Sequence, residues 1–478
     1  MFVNRQAELA QLTQLHQSGR AELFVLYGRR RVGKTELLRA FVEGKSPVVF
    51  FIATLSADRE QLLAFSQEIW WTGHGDVPAG FTFPTWEAAF RALVDLPGRP
   101  IVVLDEFTYL ISGNKALPSI LQKVWDAHLS RSQVMLIVCG SYIGMMEQEV
   151  LEYRAPLYGR RTGSNLLQPL GLSAAAEFFP TYTPAQQLEL WATLGGMPYY
   201  LNTFKASANL WTNVRQHILD PQGNLYREPQ LLLQEELREP RNYFSILRAI
   251  AQGHTRLNEI AQSSRVGDAT TVARYLDILQ QMRVVKRHVP VTESQPGKSK
   301  KGLYQITDHF LRFWFAYAHP NQAALDMGLA DMVLEQRIRP TFETFVAPMF
   351  EEAARDHVVH LAQQGRLSFL PVRVGGWWDR TGELDVVALN ETGDAWLLGE
   401  CKWSTRPIGI NVLDDLKRAA RSLLAGREEV RVTYTLFARA GFTAALQDVA
   451  QREGALLIKV DEMIAGGSIS VEEGGAQL

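Results

Sequence analysis

Gly28-Arg29-Arg30-Arg31-Val32-Gly33-Lys34-Thr35 is the most chemically explicit stretch of the chain. It fits the spacing G-x-x-x-x-G-K-[ST] of a phosphate-binding loop. The two glycines let backbone N–H groups turn inward around phosphate oxygens. A helix starting at Lys34 adds its positive end. The Lys34 ammonium then reaches the β- and γ-phosphates, and the Thr35 hydroxyl binds Mg²⁺. ATP and Mg²⁺ are therefore the expected ligands. Further on, the run IVVL ends in Asp105-Glu106. An acidic residue at the end of a buried strand holds the Mg²⁺ shell, the role expected of Asp105, while Glu106 polarises the water that attacks the γ-phosphate. Ser141 follows the apolar run Val134–Val138 and is a candidate to hydrogen-bond that water or the γ-phosphate. Arg160 and Arg161 offer a cation for the charge developing on a transferring phosphoryl group, in this subunit or on a neighbouring copy. The reading leans to Arg160. The bland alternatives are a serine in a tight turn and arginines at a domain edge.

A second constellation lies near the C-terminus. Glu383 and Asp385 alternate along one apolar run, Glu400 and Lys402 along the next. Alternation puts each pair on one face of its strand. If the strands are neighbours, two or three carboxylates and a lysine converge. Asp385 and Glu400 supply the hard oxygens that suit Mg²⁺, and Lys402 orients or helps to activate a water. Such a centre hydrolyses phosphodiesters. The alternative is a satisfied ion cluster in an inactive domain.

These residues need elements to hold them. Leu23–Tyr27, Val48–Ala53, Ile101–Leu104 and Val134–Val138 read as buried parallel strands, with helical patterns between them such as Thr35–Glu43 and Trp86–Leu96. That alternation predicts an α/β domain over 1–170. The segment 171–241 is mostly helical. Over 242–308, three helices (243–252, 257–263, 269–282) precede a hairpin of Val284–Val291 and Leu303–Ile306, the order of a winged helix-turn-helix. The loop Glu293–Gly302 is the wing tip, flanked by Arg283, Lys286, Arg287, His288 and by Lys298, Lys300, Lys301. With the helix carrying Thr270, Thr271, Arg274 and Tyr275, it predicts contact with DNA phosphates. A helical linker spans 309–347. A second α/β domain over 348–465 has strands at Leu367–Val374, Glu383–Leu389, Trp396–Cys401 and Val430–Phe437. A frayed tail covers 466–478.

Composition sets the outer bounds. The chain has 478 residues, 49 basic and 51 acidic, for a net charge of −2. That excludes a globally basic binder but leaves room for local basic patches. Cys139 and Cys401 are far apart and lie in apolar runs, which predicts buried reduced thiols and no zinc knuckle. No apolar run approaches the ~20 residues of a membrane span, so a cytoplasmic protein is expected.

Phe2-Val-Asn4-Arg5-x-x-Glu8, GRRRVGKT, VVLDEF, Cys139-Gly-Ser141, LYGRRTG and Gly195-Gly-Met-Pro198 together resemble the archaeal-type ATPases of the AAA+/STAND superfamily, over roughly residues 1–240. The resemblance implies an ASCE-type P-loop core that hydrolyses ATP. It also implies that Asn4 and Arg5 lie against the adenine and that the Gly-Gly-Met-Pro turn belongs to a helical lid, 171–241. Oligomers are implied if the arginine acts in trans. Phe350-Glu351, Gly375-Gly-Trp377-Trp378, Gly382-Glu-Leu-Asp385 and Gly399-Glu400-Cys-Lys402-Trp403 resemble the DUF234 domain and, more broadly, the PD-(D/E)xK restriction-endonuclease-like fold. That likeness implies Glu351 as a further metal-ligating carboxylate. Here Glu-Leu stands before Asp385 where the broader motif has proline. Together these features point to an ATP-dependent protein that cleaves DNA; the rival is an ATP-dependent switch with an inactive C-terminal domain.

Overall fold

Strands of almost unbroken Leu, Ile, Val and Phe can be satisfied only where both faces are covered. The computed structural model, which describes residues 2–465 except 238 and 428, builds a five-stranded parallel sheet from such strands. They are β1 (Glu22–Tyr27), β2 (Val48–Ile52), β3 (Ile101–Asp105), β4 (Met135–Gly140) and β5 (Gly163–Leu166), in the order β2-β3-β4-β1-β5. All of β3 and β4 is buried. Because β4 lies between β1 and β3, the residues following three adjacent strands meet at one sheet edge: the phosphate loop, Asp105-Glu106 and Ser141.

Four of the expected strands are present within a residue or two. The fifth, β5, was not expected: its sequence GSNL has no apolar run, and it is held by pairing with β1 alone. The helix Asp58–His74 lies between β2 and β3, among the expected helical connections.

The described chain divides into two compact units. One is Phe2–Pro169 together with Met197–Tyr199. The other is Leu170–Gly196 together with the chain from Tyr200. The helical segment after 170 thus groups with the C-terminal half, apart from three residues. Gly195 and Gly196 have a steric reason at the crossing. Gly195 has φ +68°, and a Cβ on Gly196 would lie 1.7 Å from the Leu170 carbonyl oxygen.

Within the second unit, helices Pro240–Ala251, Leu257–Ser264 and Ala269–Gln281 precede the antiparallel pair β6 (Val285–His288) and β7 (Leu303–Ile306). The expected order of three helices and a two-stranded pair is present, with a shorter first strand than expected. The C-terminal sheet contains β8 (Arg373–Trp378), β9 (Glu383–Leu389), β10 (Ala395–Lys402), β11 (Arg431–Ala438) and β12 (Leu456–Lys459), in the order β12-β11-β10-β9-β8. Pairing is antiparallel from β8 to β10 and parallel beyond.

Two expectations are corrected here. The first strand of this sheet is Arg373–Trp378, not Leu367–Val374; its two central glycines hid the strand signal. The long helix Phe342–Gln363 runs across the expected 347/348 boundary, with Pro348 inside it. The 466–478 tail lies outside the described residues. Among those residues, no helix is long and apolar enough to cross a membrane.

Candidate functional site

The phosphate loop leaves β1 at Gly28, where a Cβ would sit 2.6 Å from the Leu167 carbonyl oxygen. Only glycine fits so close an approach. Gly33 adopts φ 94° and caps the helix Lys34–Val42. Lys34 is buried, and its Nζ donates to the carbonyls of Gly28 (2.9 Å) and Arg29 (3.1 Å), so the ammonium is held across the loop's mouth. The Thr35 hydroxyl donates to Asp105 Oδ2 at 2.6 Å. A hydroxyl and a carboxylate meeting at the start of a helix beside the loop are the donors that Mg²⁺ and a phosphate chain require, so the residues fit both groups.

Glu106 has φ 53°, a left-handed conformation costly for a side chain with a Cβ. Its N–H donates to Asp105 Oδ1 at 2.9 Å, and its Oε2 accepts from the Ser141 hydroxyl at 2.6 Å. Ser141 therefore holds the glutamate. Cys139 is buried beneath them, its thiol raised well above its ordinary value by burial and by Asp105.

The loop arginines bind sideways. Arg30 reaches the Tyr109 hydroxyl. Arg31, at φ 69°, stacks over the Tyr199 ring at 4.3 Å, and Pro198 lies 3.7 Å from a Cβ built on Gly33. The end of the Gly-Gly-Met-Pro-Tyr segment thus touches the phosphate loop itself. Arg29 is buried and Val32 fully so. Arg5 is also buried; it pairs with Glu8 (2.9 Å) and donates to Gln168 O (2.7 Å) and Val32 O (3.3 Å). The structure makes Arg5 a brace of the loop. Arg160 grips Asp126 through Nε and Nη2, both at 2.9 Å, whereas Arg161 stacks on Tyr158 at 5.7 Å. No local pattern marks Asp126 as that partner.

The second constellation also forms. β9 and β10 pair up to Val386 opposite Gly399, which carries the register on to Asp385 opposite Glu400. There the ladder ends, and Asp385 Oδ2 accepts the Cys401 N–H at 2.8 Å. Lys402 Nζ donates to Glu400 Oε1 at 2.6 Å. From the long helix, Glu351 approaches the same carboxylates. Arg355, one turn later, donates to the Asp385 carbonyl at 2.8 Å and stands 3.7 Å from Glu351. Burial, then Glu351 and Glu400, push the Asp385 carboxyl up to about 8. Burial also raises Glu351 against the pull of Arg355, with Glu383 and Glu400 adding to it. Burial lowers Lys402, but the Glu400 hydrogen bond and charge outweigh it and leave it raised. A cluster of oxygens whose charges oppose one another is one that a divalent cation would relieve. Among the described residues, however, no three His, Cys, Asp or Glu side chains stand at metal-holding spacing as they are. Arg355 was missed in the sequence; its i,i+4 position after Glu351 was the available signal.

Beside this cluster sits Arg439. Its backbone N–H donates to Lys402 O at 3.3 Å, and its guanidinium stacks over Trp403 at 4.7 Å. It also pairs with Glu189 of the helix Pro184–Leu194 (3.0 Å) and Glu343 of the long helix (3.5 Å). No motif announced it.

The basic wing is partly committed. Arg287 donates to the Pro296 and Ser299 carbonyls. Lys301 pairs with Glu293 at 3.0 Å. Burial lowers His288 to about 4, which leaves it neutral. Tyr275 accepts a hydrogen bond from Asn242 at 2.7 Å and packs on Tyr243.

Residues 2–204 match the ATPase_2 family, an ATPase domain predominantly from Archaea. Residues 314–417 match DUF234, archaeal and bacterial proteins of unknown function. An uncharacterised protein of Methanocaldococcus jannaschii is 34% identical over 405 residues, 84% of this chain and 88% of that one. Among solved structures, a Walker-type ATPase of Pyrococcus abyssi is similar with TM-score 0.45 and 23% identity, covering 66% of this chain and 96% of that one. The ORC2 protein of Aeropyrum pernix is similar with TM-score 0.43 and 14% identity, covering 68% and 95%. The relative from M. jannaschii spans both regions, and the two family matches follow one another in the order in which the two sheets occur. The chain belongs to the archaeal-type P-loop ATPases that carry a DUF234 domain behind the ATPase domain.

Proposed function

We propose that this ATPase is a DNA-processing enzyme whose C-terminal acidic site cleaves phosphodiesters under the control of ATP. The reading is carried by one observation: Asp385, Glu400 and Lys402 meet where β9 and β10 part, with Glu351 brought to them by the long helix. In the ATPase unit, the loop amides and Lys34 bind the phosphates, and Thr35 and Asp105 hold Mg²⁺. Glu106, held by Ser141, orients the attacking water. Arg160 or Arg161 supplies positive charge to the transferring phosphoryl group, for Arg160 after release from Asp126. In the C-terminal site, Asp385, Glu400 and Glu351 would hold a divalent cation, which would supply polarisation of the scissile phosphate. Lys402, now bonded to Glu400, would orient the attacking water, and Arg355 fixes the Asp385 backbone. The winged helix contributes contacts to the DNA backbone.

The test is a nuclease assay on single-stranded, linear and branched DNA with Mg²⁺ or Mn²⁺, with and without ATP. Wild-type, Asp385→Ala and Lys34→Ala proteins are compared. Cleavage lost in the Asp385 variant supports the site, and loss in the Lys34 variant as well supports control by ATP. No cleavage on any substrate, with ATP hydrolysis intact, overturns the proposal. One observation favours a second reading, an ATP-dependent switch with an inactive C-terminal domain. Lys402 is already neutralised by Glu400 at 2.6 Å, as it would be in a structural ion cluster.

A further inference from the structure

The second unit contains a cleft of about 370 Å³ formed by the helices Glu228–Glu236 and Pro240–Ala251 and the turn at His319. That volume lies within the range of small-ligand sites. Among the described residues, the cleft's lining has two arginines and no carboxylate, in a chain that carries 51 acidic residues. Arg241 and Arg248 are exposed, and neither makes an ion pair among the described residues. They lie seven residues apart on one helix, which puts them on one face about 10 Å apart along the axis. Ser245 lies between them and also lines the cleft.

The remaining wall has a different character. Phe244 and His319 present two rings with centroids 6.2 Å apart. Trp314 (5.1 Å) and Phe315 (5.5 Å) pack against the His319 imidazole. Burial and Arg248 lower the His319 pKa, so the ring is a neutral aromatic surface at pH 7. Gln230 and Gln234, one helical turn apart, add amide donors and acceptors.

We propose that this cleft is a second nucleotide site, sharing no residue with the phosphate loop. Arg241 and Arg248 take the phosphates, Phe244 and His319 the base, and the two glutamine amides its polar edge. Guanidinium groups pair with phosphate oxygens in a bidentate fork, and a flat base gains from stacking on aromatic rings. Two cations within one cleft suit a single nucleotide, whereas a strand of nucleic acid needs a longer basic track.

The experiment is calorimetric titration of the full chain with ADP, inorganic phosphate and a twelve-nucleotide single strand. Four proteins are compared: wild type, Lys34→Ala, Arg241→Gln/Arg248→Gln, and the triple variant. ADP should bind wild type at two sites per chain and either of the first two variants at one. Affinity at the site remaining in Lys34→Ala should fall at least tenfold in the triple variant. Both arginines are exposed, so the fold tolerates their replacement, and unchanged circular-dichroism melting checks this. Should the glutamine variants lose structure, Arg241→Lys/Arg248→Lys keeps the charge, removes the fork and should still weaken ADP. A single ADP site in wild type, or a second site indifferent to both arginine replacements, overturns the proposal. So does arginine-dependent binding of the oligonucleotide alone.

Discussion

At the scale of single residues, the ATPase site turns on a glutamate held in an unfavourable conformation. Glu106 has φ 53°, and two hydrogen bonds offset that cost, one from its own N–H to Asp105 and one from Ser141 to its carboxylate. The geometry separates two roles that the sequence left merged. Ser141 was expected to meet the water or the γ-phosphate directly, whereas here its hydroxyl donates to the Glu106 carboxylate. Glu106→Gln should still bind ATP with near-normal affinity, while turnover falls by about 10²-fold or more, the scale of a lost general base. Ser141→Ala removes one hydrogen bond to a charged group, about 1.5–3 kcal/mol. Its turnover should therefore drop by about ten- to a hundredfold, with KM little changed. Steady-state ATPase assays alongside nucleotide titration check both. Unchanged hydrolysis in Glu106→Gln would remove the assignment.

At the scale of elements, Arg439 ties three pieces of the second unit together: the helix Pro184–Leu194 through Glu189, the long helix through Glu343, and the end of β10 through Lys402 O and Trp403. Burial raises the Glu189 carboxyl, and Arg439 pulls it back. Arg439→Gln should therefore destabilise the second unit by about 3 kcal/mol, because it leaves a buried carboxylate without its partner. Arg439→Met combined with Glu189→Leu should recover most of the loss. Urea unfolding of wild type, Arg439→Met, Glu189→Leu and the double variant gives the coupling energy, and additive effects would show that the pair does not act as a unit. This contact also marks the limit of what the sequence made legible. Continuous apolar strands and the loop spacing fixed the first sheet and its site, since both are local patterns. In β8, Gly375 and Gly376 carry no side-chain signal, and β5 has no apolar run. The partners Asp126, Glu189 and Arg439 became visible only when the chain brought distant charges together. The acidic cluster was legible in its types and alternation but not in its bonds: Asp385 turned to a backbone N–H and Lys402 to Glu400.

At the scale of the whole molecule, a net charge of −2 gives no general attraction to nucleic acid, so the proposed DNA contact must come from a local patch. The β6–β7 hairpin and its connection present less free charge than their sequence suggests. The chain after β6 joins the outer strand of the C-terminal sheet, with the Val291 N–H donating to Gly376 O at 2.9 Å, and Trp378 Nε1 reaches Lys301 O at 3.3 Å. This contact covers part of a sheet edge that would otherwise be open to pairing, and it anchors both sides of the wing. Arg287 and Lys301 are engaged within the wing, and His288 is neutral. Lys286, Lys298 and Lys300 remain exposed, without an ion pair among the described residues. Each phosphate contact made by such a lysine steepens the fall of log affinity with log salt by about 0.9. The Lys298→Ala/Lys300→Ala variant should therefore bind duplex DNA more weakly at low salt and show a salt slope shallower by about 2. Arg287→Ala should act differently, loosening the wing without removing a phosphate contact, so its slope should stay near wild type while its affinity falls. Fluorescence anisotropy across a salt series separates the two effects. A slope unchanged by loss of both lysines would move the DNA contact off the wing, and binding with no salt dependence at all would remove nucleic acid from the account of this domain.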